Sequence, residues 1–164
     1  MATPNVEFAK EMAEAGCEDA TLCFQCGTCT ASCPSGRYTS YRIRKIIRQT
    51  QLGLKDEILT GNDLWDCTTC YACVERCPRE VPIVDIIVSL RNMAVATGHM
   101  FDSHKATARS LHSIGHAVSF NDEVKATREA LGLPGVPPTV LNNPKAMEDL
   151  QKILDASGFD KIVE

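Results

Sequence analysis

Aromatic residues are scarce in this chain, 5% of 164, so the interior cannot rest on ring packing and needs a filler besides aliphatic side chains. No apolar run approaches the ~20 residues needed to span a bilayer. The best, Ile83 to Leu90, is broken by Asp85 and Ser89, so no membrane partner is expected. No block of Lys or Arg stands out and the formal net charge is -4, which argues against nucleic acid as the main partner. Glu7, Lys10, Glu11 and Glu14 occupy the stretch that a secretory signal would need apolar, so the chain is expected in the cytoplasm. A Gly-rich nucleotide fingerprint is missing, as is a convincing nucleophile and base pair. No catalytic residue is assigned.

Cysteine, by contrast, is plentiful: nine residues, eight of them in two matched runs. Cys23, Cys26, Cys29 and Cys33 precede Pro34; Cys67, Cys70, Cys73 and Cys77 precede Pro78, each 44 positions after its counterpart. Both runs read C-x2-C-x2-C-x3-C-P, the spacing whose thiolates hold 4Fe-4S clusters in bacterial ferredoxins. Each iron of such a cubane keeps one open position that soft thiolate fills best, so four cysteines serve one cluster. Zinc sites take cysteines as separated pairs, which three thiols in seven residues followed by Cys-Pro fit badly. Disulfides are disfavoured by the missing secretory signal. Two 4Fe-4S clusters are therefore expected, with folding dependent on metal.

Where two clusters share such a motif, the fourth cysteine ligates the other cluster. This assigns Cys23, Cys26, Cys29 and Cys77 to one cluster, and Cys67, Cys70, Cys73 and Cys33 to the second. Cys17 lies outside both runs and reads as a spare buried thiol. His112 and His116, one helical turn apart by spacing, read as ordinary helix histidines rather than metal ligands. Trp65, just before Cys67, is expected to pack over the cluster turn. From Pro34 to Leu54 there is no acidic residue, but there are Arg37, Arg42, Arg44, Lys45 and Arg48. That basic face suits an acidic partner surface or solvent better than a tuning role, although nearby cations would favour a reduced, more negative cluster.

Three regions follow: an acidic N-terminal arm over 1–20, a cluster domain over 21–99 and a helical, partner-docking extension over 100–164. Between the runs, Ile43, Ile46, Ile47 and Leu54 fall on one side of a helical wheel, with Arg44, Lys45 and Arg48 on the other. β-hairpin connections would alternate instead. Pro82 suits a first helical position, and Ile83, Val84, Ile86, Ile87, Val88, Leu90 and Val95 leave only a narrow polar stripe at Asp85, Ser89 and Asn92, so this helix should be largely buried. The expected fold class is all-α, a helical ferredoxin core with helical extensions. A further helix is expected from Pro144 to Ala156, after the turn Pro134 to Pro138.

With CFQCGTCTASCP, RIRKIIRQTQLG and WDCTTCYACVERCPREVPI, the chain resembles the C subunit of the soluble heterodisulfide reductases of methanogenic archaea, specifically from about Leu22 to His99. The resemblance implies an α-helical ferredoxin fold with two 4Fe-4S clusters. It also implies a relay from the flavin-bearing A subunit to the catalytic B subunit, which reduces the mixed disulfide of coenzyme M and coenzyme B. The flavin-bearing partner would connect in turn to a hydrogenase or formate dehydrogenase module. All eight motif cysteines are committed, no Cys-Cys-Gly motif is present and no cysteine follows Cys77, so catalysis is expected on another chain. Three alternatives stay open. An iron–sulfur subunit of the succinate or fumarate dehydrogenase type would need an upstream 2Fe-2S domain, for which the 22 residues before Cys23 leave no room. The others are a free ferredoxin and a non-redox, metal-stabilised scaffold module.

Overall fold

In the computed structural model, which describes residues 3–118 and 120–163, the chain is helical, with no strand among the described residues. It divides into two compact units between His99 and Met100. The first contains α1 (Phe8–Glu14), α2 (Thr28–Ser32), α3 (Ile43–Gln51), α4 (Lys55–Leu59), α5 (Ala72–Glu75) and α6 (Ile83–Ala96), with short 3-10 turns at Glu18–Leu22, Ser35–Arg37 and Asn62–Asp66. The second contains α7 (Asp102–Ile114), α8 (Asp122–Ala130), α9 (Pro144–Ala156) and α10 (Asp160–Val163).

α3 forms where the helical period predicts it. Ile43, Ile46 and Ile47 are buried and Arg44, Lys45 and Arg48 are exposed. Thr50 continues the buried face, its hydroxyl satisfied by donating to the Ile46 carbonyl at 3.0 Å. Leu54 does not extend that face. The helix stops at Gln51, Gly53 turns the chain at φ +70°, and Leu54 caps α4 half-buried. α6 supplies the centre of the core through Ile83, Val84, Ile86, Ile87 and Leu90, all buried, and each such side chain contributes about 1.5–3 kcal/mol of hydrophobic stabilisation. Two details differ from the sequence reading. Pro82 stands just before the helix, at its cap, and Val88 is on the exposed side at 38%.

The first twenty residues depart from a separate acidic arm. Phe8 and Met12, one helical turn apart on α1, are buried with Cys17 and Ala20 in the same core as α3 and α6. Asn5 donates its N–H to the Gly53 carbonyl at 2.7 Å, and a β-carbon on Gly53 would lie 2.6 Å from the Asn5 oxygen. Lys55 pairs with Glu11 at 2.6 Å. The acidic side chains dominate the composition of this segment, while two apolar ones decide its packing.

In the second unit Gly115, at φ +70°, ends α7, and a β-carbon there would strike Val140. α9 spans Pro144 to Ala156 as expected, with the Asn143 side chain accepting from the Ala146 N–H and proline at the first turn. No described residue of this unit is fully buried.

Candidate functional site

Both cysteine runs are the same backbone design. A 3-10 turn, Glu18–Leu22 in one copy and Asn62–Asp66 in the other, delivers the chain in extended conformation to Cys23 and Cys67. Two left-handed residues follow in each: Gln25 (φ +65°) and Gly27 (φ +87°), then Thr69 (φ +50°) and Tyr71 (φ +60°). A short helix, α2 or α5, then carries the third cysteine. Non-glycine residues rarely hold a positive φ, and when they do the strain clusters at functional sites. Gln25, Thr69 and Tyr71 all lie between cysteines of the two runs. Such left-handed turns present successive N–H groups to one side, a concavity that suits anions, iron–sulfur groups included.

Exposure repeats with the geometry. Cys29 and Cys73 are buried, Cys26 and Cys70 exposed, Cys23 and Cys67 half-buried. A side chain from a following helix ties down each entry turn by equivalent carbonyls. The Gln51 amide donates to Ala20 at 3.0 Å and Cys23 at 2.8 Å; Arg91 donates to Leu64 at 2.8 Å and Cys67 at 2.6 Å. Trp65 sits half-buried in the second of these turns, with the Arg91 guanidinium 5.6 Å above its ring. No spacing rule points to Gln51. Arg91 does leave a trace in the sequence, as the one cation among the apolar residues of α6.

α2 and α5 pack against each other, which brings the two copies together. Arg76 donates to the Ser32 hydroxyl at 3.3 Å across that contact. Cys33, the last cysteine of the first run, lines one hollow with Cys67, Cys70 and Cys73 of the second. The remaining wall is mainly apolar, with Pro34, Ile43 and Val84. Cys77 is half-buried at the end of α5. The thiols surround a space instead of meeting at a point: among the described residues, no three such side chains converge tightly enough to hold a single metal ion.

The thiols themselves suit a guest that brings positive iron to them, within a group that is anionic once the thiolates are counted. Burial first, then the neighbouring Cys67 charge, pushes the Cys73 thiol up to about 12, and Cys29 and Cys70 add to this. Burial likewise raises Cys29, with Cys23 and Cys26 adding repulsion, although the Thr30 hydroxyl and N–H counter them. Cys26 goes the other way, lowered chiefly by the Thr28 hydroxyl. Buried thiols that resist ionising together are deprotonated when iron supplies the compensating charge. The Gln25 amide donates to the Cys23 sulfur at 3.5 Å and the Gly36 N–H to Cys33 at 3.4 Å. The donor set and its surroundings therefore fit a 4Fe-4S group.

Of the basic residues on the linker, Arg42, Arg44, Lys45 and Arg48 line a surface hollow with Gln25 and Thr30 of the first copy. Arg42 is engaged structurally, donating to the carbonyls of Gly36, Thr39 and Tyr41 at 2.8 to 2.9 Å. Arg44 lies over Gly27, and Lys45 pairs with Asp63 at 3.2 Å. Cys17 is buried in the core, its sulfur 3.5 Å from the Ala15 carbonyl. His112 and His116 are not on one helical face, because α7 ends at Ile114. His112 meets Asp155 at 3.0 Å and His116 meets the Thr139 hydroxyl at 2.6 Å. Asp155, 43 residues away from His112, is a carboxylate partner with no signal in the sequence.

Residues 19–81 match the 4Fe-4S dicluster domain family. Over 157 residues the chain is 50% identical to the C subunit of the H2:CoB-CoM heterodisulfide, ferredoxin reductase of Methanothermobacter marburgensis, covering 96% of this chain and 85% of that one. It is 44% identical over 167 residues to the second C-type iron-sulfur subunit of the CoB-CoM heterodisulfide reductase of Methanocaldococcus jannaschii (97% and 89% covered). With the C subunit of the ferredoxin/F420H2-dependent CoB-CoM heterodisulfide reductase of Methanosarcina acetivorans it shares 45% over 145 residues (88% and 89%). Identity at this level over nearly the whole chain, joined to a helical core with paired four-cysteine runs, makes this protein a member of the C-subunit family of heterodisulfide reductases.

Proposed function

We propose that the chain is the electron-relay subunit of a cytoplasmic heterodisulfide reductase complex. It carries two 4Fe-4S clusters, one on Cys23, Cys26, Cys29 and Cys77 and the other on Cys67, Cys70, Cys73 and Cys33. Electrons enter from the flavin-bearing A subunit, itself linked to a hydrogenase or formate dehydrogenase module, and leave to the catalytic B subunit, which reduces the coenzyme M–coenzyme B disulfide.

The observation that carries this reading is the hollow where Cys33 joins the three leading cysteines of the opposite run. Crossed ligation would tie the two halves together and hold the two redox groups side by side, as a relay requires. When bound, a 4Fe-4S cluster stores and releases one electron. The chain's own part is to present the thiolates, exclude water with Ile43 and Val84, and supply sulfur-directed donors from Gln25 and Gly36. Disulfide reduction needs two electrons and all eight motif cysteines are occupied as ligands, which supports catalysis on another subunit. The second unit, over 100–164, is read as partner-docking: Leu131 and Ile153 expose apolar side chains there.

Anaerobically purified chain should contain about eight irons with matching acid-labile sulfide, be reduced by dithionite, and leave a heterodisulfide untouched until the partner subunits are added. A colourless, zinc-only protein would eliminate the relay and favour the scaffold reading. Turnover by the chain alone would eliminate the division of labour.

A further inference from the structure

Tyr41 is 1% exposed, and its hydroxyl oxygen is fully buried without a hydrogen-bond partner. A buried hydroxyl left unpaired loses its hydration without compensation, and such groups call for an explanation, a bound guest among them. The ring lines the hollow of Cys33, Cys67, Cys70 and Cys73. Thr68 and Tyr71 are the other hydroxyl-bearing residues of that lining and neither partners it, while Pro34, Ile43 and Val84 are apolar, which leaves the four cysteine sulfurs as the remaining acceptor side chains there. Its place is set beforehand by the backbone. Arg42 grips the Tyr41 carbonyl at 2.8 Å together with those of Gly36 and Thr39, and a β-carbon on Gly36 would lie 2.9 Å from the Tyr41 carbonyl oxygen.

We infer that the Tyr41 hydroxyl donates a hydrogen bond to sulfur of the 4Fe-4S cluster held by Cys67, Cys70, Cys73 and Cys33, raising the reduction potential of that cluster above that of its twin. The inference rests on the two-cluster reading and goes beyond it by ranking the two sites. A hydrogen bond to sulfur strengthens as negative charge builds there, so it stabilises the reduced state more than the oxidised one. The phenol keeps its proton throughout; an electron arrives and nothing else moves. At the equivalent place in the other copy, one residue before the cap of its following helix, stands Val81, a buried apolar side chain with no proton to donate. Tyr41 is thus a positioned hydrogen-bond donor that makes two otherwise matched sites unequal, with the second-run site the preferred resting place of the electron.

The test is a redox titration of the anaerobic, cluster-loaded full chain, followed by electron paramagnetic resonance, with the two signals assigned from Cys26→Ser and Cys70→Ser variants. Tyr41→Phe should shift one cluster about fivefold toward its oxidised form, roughly 40 mV at 59 mV per tenfold, and leave the other in place. A fluorotyrosine introduced at position 41 is a stronger donor of similar size and should shift the same cluster upward. Electron–nuclear double resonance of the reduced wild type should reveal an exchangeable proton coupled to that cluster, absent from Tyr41→Phe. If Tyr41→Phe fails to assemble, the fluorotyrosine shift and the exchangeable proton decide. Two clusters whose potentials ignore position 41, or that move together, would overturn this inference alone. Wild-type protein with fewer than two clusters would overturn it along with the relay reading.

Discussion

At Gly27 the first cysteine run turns through φ +87°, and at the equivalent point of the second run Tyr71 makes the same turn at φ +60°. Gln25 and Thr69 match in the same way, as do the entry turns and the carbonyl clamps of Gln51 and Arg91. The copies part company in what packs on them. Beside the first run is an open hollow lined by Arg44, Lys45 and Arg48; the second run encloses a mainly apolar hollow containing the Tyr41 ring. One clamp is a neutral amide and the other a guanidinium. Backbone and thiol geometry is thus repeated while the polarity and charge around it are not, and those are the levers by which a protein sets the potential of an iron–sulfur cluster. For the relay we propose, two sites of equal geometry and unequal surroundings would give the electron a direction.

The strongest way to break the comparison is to remove the fourth cysteines. Cys33→Ser should abolish the cluster of Cys67, Cys70 and Cys73, and Cys77→Ser that of Cys23, Cys26 and Cys29, each costing about half the iron. Iron assay with electron paramagnetic resonance reads this, and a loss confined to the mutated run itself would contradict crossed ligation. A smaller effect tests the shared turn. Gly27→Ala should destabilise by about 1 kcal/mol, since it places a β-carbon at a left-handed position. Tyr71→Gly should stay within about 0.5 kcal/mol of wild type, relief of strain offsetting the freer unfolded chain. Denaturant midpoints of the loaded protein, followed by circular dichroism under anaerobic conditions, compare the two. Smallest is the charge difference. Arg44→Gln with Arg48→Gln should slow association with the partner subunits about threefold at low salt, fading as salt screens the surface, whereas Arg79→Gln beside the second run should do less. A changed potential with an unchanged association rate would reassign the basic face from docking to tuning.

Much of the site could be read directly from residue spacing. Two cysteine runs of one spacing stand out in the sequence and the structure gives them one backbone design, and the 3.6-residue period of Ile43, Ile46 and Ile47 carried the helical class with it. Sequence pattern and structure part where composition and packing disagree. Residues 1–20 look like a charged arm because five acids outnumber one lysine, yet Phe8 and Met12 on one face of α1 are enough to seat it in the core. His112 and His116 share a helical interval on paper, but Gly115 ends the helix between them.

What the sequence determined alone is the pair of cysteine runs and the helical scaffold, since both depend on short-range spacing along the chain. Tertiary structure decided which hydroxyl lines the hollow of the second run and which guanidinium and amide clamp the carbonyls of each entry turn. Tyr41 reaches the second run across 26 residues and Arg91 reaches back over 24 to the carbonyl of Cys67. Contacts of that span follow from how the helices pack, and no local pattern encodes them.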